Sequence, residues 1–130
     1  MKILVGYDGS NVSKAALDLS VVHAKAFDAK VYVIFSMVGG REIPRQVFIN
    51  AEHELAYAEN LLKQEKIDCE TRLSVRGMEA GEDIVSYAEE IGADEIIIGI
   101  RRRSRVEKLL MGSTAQYIMI KALCPVVGVK

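Results

Sequence analysis

Short apolar runs alternate along the chain with longer stretches in which apolar residues recur every three or four positions. The first pattern marks buried strands and the second amphipathic helices. Residues 3–7 read as the first strand, followed by a helix over 10–26 with Ala15, Ala16, Leu19, Val22 and Ala26 at core-facing spacing and Ser10 or Asn11 as its N-cap. Residues 31–35 form the second strand. The segment from Val38 to Pro44, with its paired glycines and its proline, breaks any regular pattern before a helix over 47–66 that turns Leu55, Ala58, Leu61 and Leu62 inward. Residues 69–75 alternate as a third strand ended by Gly77, and residues 80–91 form a helix carrying Ile84, Val85, Ala88 and Ile91 on one side, capped by Gly92. The β-branched run at 95–99 is a fourth strand, residues 113–122 a fourth helix, and Pro125 leads into a last strand over 126–129.

Strands alternating with helices from end to end predict repeated βα units and a parallel sheet. With right-handed crossovers the chain is one α/β domain over residues 1–130, a doubly wound, Rossmann-like sheet of five strands with helices on both faces. Such sheets bind ligands at the switch point, beyond the C-terminal strand ends. Polar and glycine signals cluster there twice, as Asp8-Gly9-Ser10 after strand one and from Gly99 onward after strand four. If both clusters serve one site, strands one and four are neighbours and the order is 3-2-1-4-5.

Length and composition narrow the field. A chain of 130 residues with 50% hydrophobic content can bury one good core. Its apolar runs are far shorter than the ~20 residues needed to span a bilayer, and no basic segment followed by an apolar one opens the chain. A soluble, cytoplasmic protein without a membrane partner is expected. Cys69 and Cys124 have neither CxxC spacing nor a nearby histidine, so they read as reduced, buried thiols and no metal site is expected. Met37, Met78, Met111 and Met119 read as core fill. The net charge of −1 opposes general attraction to nucleic acid. Arg101, Arg102, Arg103, Arg105 and Lys108 are concentrated, but without interleaved aromatics, so no nucleic-acid partner is expected.

That basic loop joins the fourth strand to Gly112-Ser113-Thr114, a helix start with free backbone donors, where anions collect. A phosphate-bearing ligand follows as the first functional hypothesis. Each signal has an ordinary alternative: Asp8-Gly9-Ser10 is also a turn with a helix cap, Gly99 a tight turn, and Gly112-Ser113-Thr114 a good helix start. Their common place at one edge of the fold makes the joint reading stronger than its parts. The P-loop and the GxGxxG fingerprint are absent. His23 and His53 sit in separate helical patterns without a nucleophile beside them, so no catalytic residue is nominated and the chain does not read as an enzyme. Slow ATP hydrolysis is left open.

Asp8-Gly9-Ser10, the Gly77 turn, Ile96-Ile97-Ile98-Gly99, Leu109-Leu110-Met111-Gly112-Ser113 and Cys124-Pro125-Val126-Val127 together resemble the universal stress protein family over the whole chain. The resemblance implies an adenine nucleotide alpha hydrolase-like fold. In nucleotide-binding members the phosphate motif is a glycine, two residues, a second glycine, nine residues, then Gly-Ser or Gly-Thr. Gly99, Gly112 and Ser113 match that spacing, whereas Arg102 stands in place of the second glycine. Arg102 either supplies a bidentate phosphate contact in place of lost amide contacts or fills the site. The resemblance further implies backbone contact to adenine near Ser36, an Asp8 contact to ribose or a cation, and Gly6, Tyr7, Ile98, Arg101 and Thr114 along the same crevice. The ligand implied is ATP or another adenine nucleotide, with or without magnesium, in a regulatory module of the stress response. The alternative is a dimeric interaction protein, blind to nucleotide, with its pocket blocked by Arg102. The short apolar strand at 126–129, placed at a sheet edge, invites a partner, and the resemblance implies a homodimer joined through it.

Overall fold

The computed structural model describes residues 1–39, 43–101 and 112–130. In chain order these form β1 (Lys2–Gly6), α1 (Asn11–Phe27), β2 (Lys30–Ser36), α2 (Arg45–Gln64), β3 (Cys69–Ser74), α3 (Ala80–Ile91), β4 (Glu95–Gly99), α4 (Ser113–Lys121) and β5 (Val126–Val129). The sheet order is β3-β2-β1-β4-β5, as the clustering of signals predicted. All four pairings are parallel, and the central strand sets Val5 opposite both Val33 and Ile97.

Alternation of side chains along each strand divides the core in two. Ile3, Val5, Val31, Val33 and Ile97 face Leu17 of α1 and Leu55, Ala58 and Leu62 of α2. Leu4, Ile34, Ile96 and Ile98 face Ile84, Val85 and Ala88 of α3 and Ile118 of α4. Because both faces are covered, the inner strands read as continuous apolar runs with no polar alternation.

The helix faces expected on α2 and α3 agree with the structure, but α1 is rotated from its expected face. Its buried residues are Ser13, Ala16, Leu17, Ser20 and Ala24, while Val22 is 60% exposed and Ala26 is exposed as well. The physical reason lies in the serines. Ser13 Oγ donates to Ser10 O at 2.9 Å and Ser20 Oγ to Leu17 O at 2.6 Å, so both hydroxyls are satisfied within the helix. They then behave as small residues and let α1 approach the sheet closely, a role that apolar periodicity does not register. The methionine reading also needs correction at three of its four positions: Met37 and Met78 are half-buried, and Met119 is 36% exposed, while Met111 lies outside the described residues. Cys69 and Cys124 are free, and half-buried where full burial was expected.

Candidate functional site

At the switch point β1 and β4 are neighbours, but the helices that follow them lie on opposite faces, which leaves a crevice above the strand ends. It holds a cavity of about 280 Å³, near the ~300 Å³ lower end of small-molecule sites. Gly6, Tyr7 and Asp8 line it from the end of β1, Ser36 from β2, Ile98, Gly99 and Arg101 from β4, and Gly112, Ser113 and Thr114 from the start of α4. Every residue nominated from the sequence is therefore gathered in one cavity, with the exception of Arg102, which lies outside the described residues. Ile34, Ala80, Ile84 and Ala115 complete the wall. Ile34 was within reach of sequence reasoning, since it shares a strand face with Ser36 two positions on.

Contact requires a glycine at position 99 and favours one at position 6. A Cβ on Gly99 would lie 2.5 Å from the Val12 carbonyl carbon and 2.8 Å from Ser13 N, so the bare backbone of β4 is what admits the first turn of α1. Gly99 is thus a close-approach residue; no positive φ marks it as a tight turn. A Cβ on Gly6 would lie 3.1 Å from Ile84 Cδ1 and 3.2 Å from Ile98 Cγ2, filling the cavity floor.

Asp8 is tied to both sides of the crevice. Its Oδ1 accepts from Ser10 N at 2.9 Å, and its Oδ2 accepts from Arg101 Nη2 at 2.7 Å, across from β1 to the end of β4. Partial burial pushes its pKa up, but hydrogen bonds from Ser10 and Ser13 and the charge of Arg101 outweigh this and hold it below the ordinary value. The Arg101–Asp8 pair is solvent-exposed on both sides, so it is weak and either partner is free to exchange it for a ligand. Tyr7 places its ring in the core beneath α1 and α2, and its hydroxyl donates to Glu54 Oε2 at 3.0 Å. Burial first, and the Glu54 carboxylate second, raise the Tyr7 pKa well above its ordinary value.

The start of α4 differs from that of α1. Ser10 caps α1 by accepting from Ser13 N, whereas α4 begins at Gly112 with no side-chain cap among the described residues. The Ser113 and Thr114 hydroxyls are exposed, and both residues line the cavity. An uncapped helix start presents N–H groups to whatever occupies the cavity and favours an anion there.

Behind the Ser36 side of the wall lies a charge that sequence reasoning missed. Asp83 of α3 is fully buried. Its Oδ2 accepts from Ser36 Oγ at 2.5 Å and its Oδ1 from Arg76 Nε at 2.8 Å. Arg76 also pairs with Glu90 at 2.5 Å. Burial would raise the Asp83 pKa, but Ser36, Ser74 and Arg76 together hold it below the ordinary value. Ser74 Oγ is near enough to contribute, although it makes no hydrogen bond of ordinary geometry. In the sequence Asp83 looks like one more acid in the first turn of a helix, a solvated position by default. Only the packing of α3 on the ends of β2 and β3 buries it. Among the described residues no cluster of three or more His, Cys, Asp or Glu is placed to hold a metal ion, and no helix is long and apolar enough to cross a membrane.

Comparison with known proteins agrees with this geometry. The model of the universal stress protein family matches residues 1–130. A universal stress protein of Methanocaldococcus jannaschii is 31% identical over 142 residues, spanning 99% of this chain and 81% of that protein. The solved structure of a universal stress protein from Archaeoglobus fulgidus superimposes with a TM-score of 0.91 at 36% identity, covering 100% of this chain and 98% of the other. The structure of the Archaeoglobus fulgidus universal stress protein in complex with dAMP gives a TM-score of 0.85 at 33% identity, with the same coverage. From its strand order, the spacing of Gly99 and Gly112-Ser113, and these matches over its full length, the chain belongs to the universal stress protein family.

Proposed function

We propose that the chain is a nucleotide-binding regulatory module of the stress response that takes an adenine nucleotide, ATP or AMP, with or without magnesium, in the cavity above β1 and β4. The observation that carries this reading is the convergence of Gly6, Asp8, Ser36, Gly99, Arg101 and Gly112-Ser113-Thr114 on that one cavity. Phosphates lie over Gly99 and the uncapped start of α4, with Arg101 as their cation. Asp8 accepts from the ribose hydroxyls, and the base lies toward Ser36. The relative solved with dAMP supports the ligand class. Among the described residues the only carboxylate lining the cavity is Asp8, and it is already engaged by Ser10 and Arg101, which favours a binding role over a catalytic one. The setting proposed is the cytoplasm, with no nucleic-acid or membrane partner.

A homodimer joined along β5 is part of the proposal. β5 is an edge strand, and the nearby Ile120 and Leu123 are 75% and 85% exposed. Unpaired strand edges and exposed apolar residues together favour association.

The replacement of the motif's second glycine by Arg102 favours one competing reading, a dimeric interaction protein whose pocket is closed by that side chain. Titration calorimetry with ATP and magnesium, on wild type and Arg102→Ala in parallel, separates the two. Micromolar binding by wild type, weakened in the variant, is the expected result. No binding by wild type together with binding by the variant would overturn it in favour of the closed pocket.

A further inference from the structure

The buried carboxylate behind the cavity wall bears on which base the cavity takes. This inference rests on the nucleotide reading above. The cavity has two unlike ends. At the β4 end Arg101, which exchanges its exposed pair with Asp8 for a ligand, and the start of α4 supply donors for a phosphate. The β2 end is walled by Ile34, Ile84 and Ser36, and the nearby Arg76 is engaged by Asp83 and Glu90. β2 and β4 flank β1, so these ends stand about two strand spacings, roughly 10 Å, apart. That separation suits the phosphate and the base of one mononucleotide, with the base against Ser36.

Ser36 follows Ile34 by two positions, so its side chain lies on the same sheet face as Ile34, the face turned to Ile84 and Ile98. A serine hydroxyl has one proton to donate and two lone pairs to accept with. The proton goes to Asp83 Oδ2, at 2.5 Å. Asp83 is paired to a guanidinium that does not deprotonate, with Arg76 Nη2 2.7 Å from Oδ1. An ionised carboxylate only accepts, so Ser36 cannot reverse this bond.

We propose that Asp83 is a positioning residue for base choice: by holding the only proton of Ser36, it leaves Ser36 Oγ as an acceptor at the β2 end, which selects a purine with a 6-amino donor over one with a 6-oxo acceptor. A 6-oxo group placed against Ser36 Oγ sets two acceptors face to face and leaves both unpaired, which is worth about tenfold in affinity.

Affinities for AMP and for IMP, measured by titration calorimetry on wild type, Ser36→Ala, Ser36→Thr and Asp83→Asn, test this. Wild type is expected to bind AMP about tenfold more tightly than IMP. Ser36→Ala, which leaves Arg76 on Asp83, brings the ratio close to one, and Ser36→Thr restores it. In Asp83→Asn the amide donates to Ser36 Oγ, the serine proton is released toward the cavity, and the ratio moves toward IMP. A loss of structural support alone would weaken both ligands together and leave their ratio unchanged. A wild-type ratio within about twofold, or a preference that persists undiminished in Ser36→Ala, overturns the inference while AMP binding keeps the nucleotide reading intact. Absence of binding by wild type to either nucleotide overturns both.

Discussion

Gly99 carries the tightest steric demand around the cavity, because the atoms its Cβ would meet are the backbone of α1 and cannot rotate aside. Gly99→Ala is expected to destabilise the fold by about 1–3 kcal/mol through overpacking, measured by urea unfolding. An unchanged midpoint would mean that α1 can shift without cost. Asp83 carries the largest electrostatic demand. Asp83→Ala takes away the buried acceptor of Ser36 and Arg76, but Arg76 keeps Glu90 and is partly exposed, so the expected cost is about 1–3 kcal/mol, while exposed ion pairs such as Arg101–Asp8 contribute about 0–1 kcal/mol. The pH dependence follows from the sign of the shift. Asp83 titrates below its ordinary value of 3.8 in the folded chain, so its contribution is fully present above that value and is lost as pH falls through the lower folded pKa. Urea unfolding measured from about pH 5 down to about pH 2 should show a shallower loss of stability in Asp83→Asn than in wild type. Equal acid slopes would mean that other carboxylates carry the effect.

At the level of elements, the contrast between the two helix starts at the switch point matters most. Ser10 closes α1 on itself, and its replacement by alanine should cost about 1 kcal/mol of stability. Among the described residues the start of α4 has no such side chain, and its first N–H groups are the donors assigned to phosphate in the proposed function. Edge strand β5 is likewise arranged by its register. Ile96 N donates to Pro125 O and Ile100 N to Val129 O. The backbone groups of Pro125, Val127 and Val129 therefore face β4, and those of Val126 and Gly128 face outward. Val126→Pro removes an outward donor at the first residue of the strand, where proline is tolerated. It should shift the proposed dimer toward monomer in sedimentation velocity while leaving the β4–β5 ladder in place. A wild-type chain that sediments as a monomer at all concentrations would end the dimer proposal.

For the whole molecule, ligand binding and stability are linked. If the cavity binds nucleotide only in the folded state, a ligand concentration of about a hundred times Kd adds about 2.7 kcal/mol to stability. Thermal unfolding of wild type should therefore shift upward with AMP or ATP. A melting temperature indifferent to nucleotide would favour the closed-pocket reading.

How much of this was legible without the fold depends on how local each signal is. Strand and helix periodicities depend on near neighbours, so the sequence alone determined the βα order and, within a residue or two, the ends of most elements. The spacing of Gly99 and Gly112-Ser113 and the place of Asp8-Gly9-Ser10 pointed to the cavity for the same reason, since backbone turns and helix starts are written in adjacent residues. Contacts between residues far apart in the chain decided the rest. The face of α1 was set by how closely small, internally bonded serines let it approach Gly99. Asp83 became a buried charge because α3 packs where Ser36 ends β2 and Arg76 follows the end of β3. Burial and partnership are properties of packed surfaces, and a polar residue's type does not reveal them until those surfaces meet.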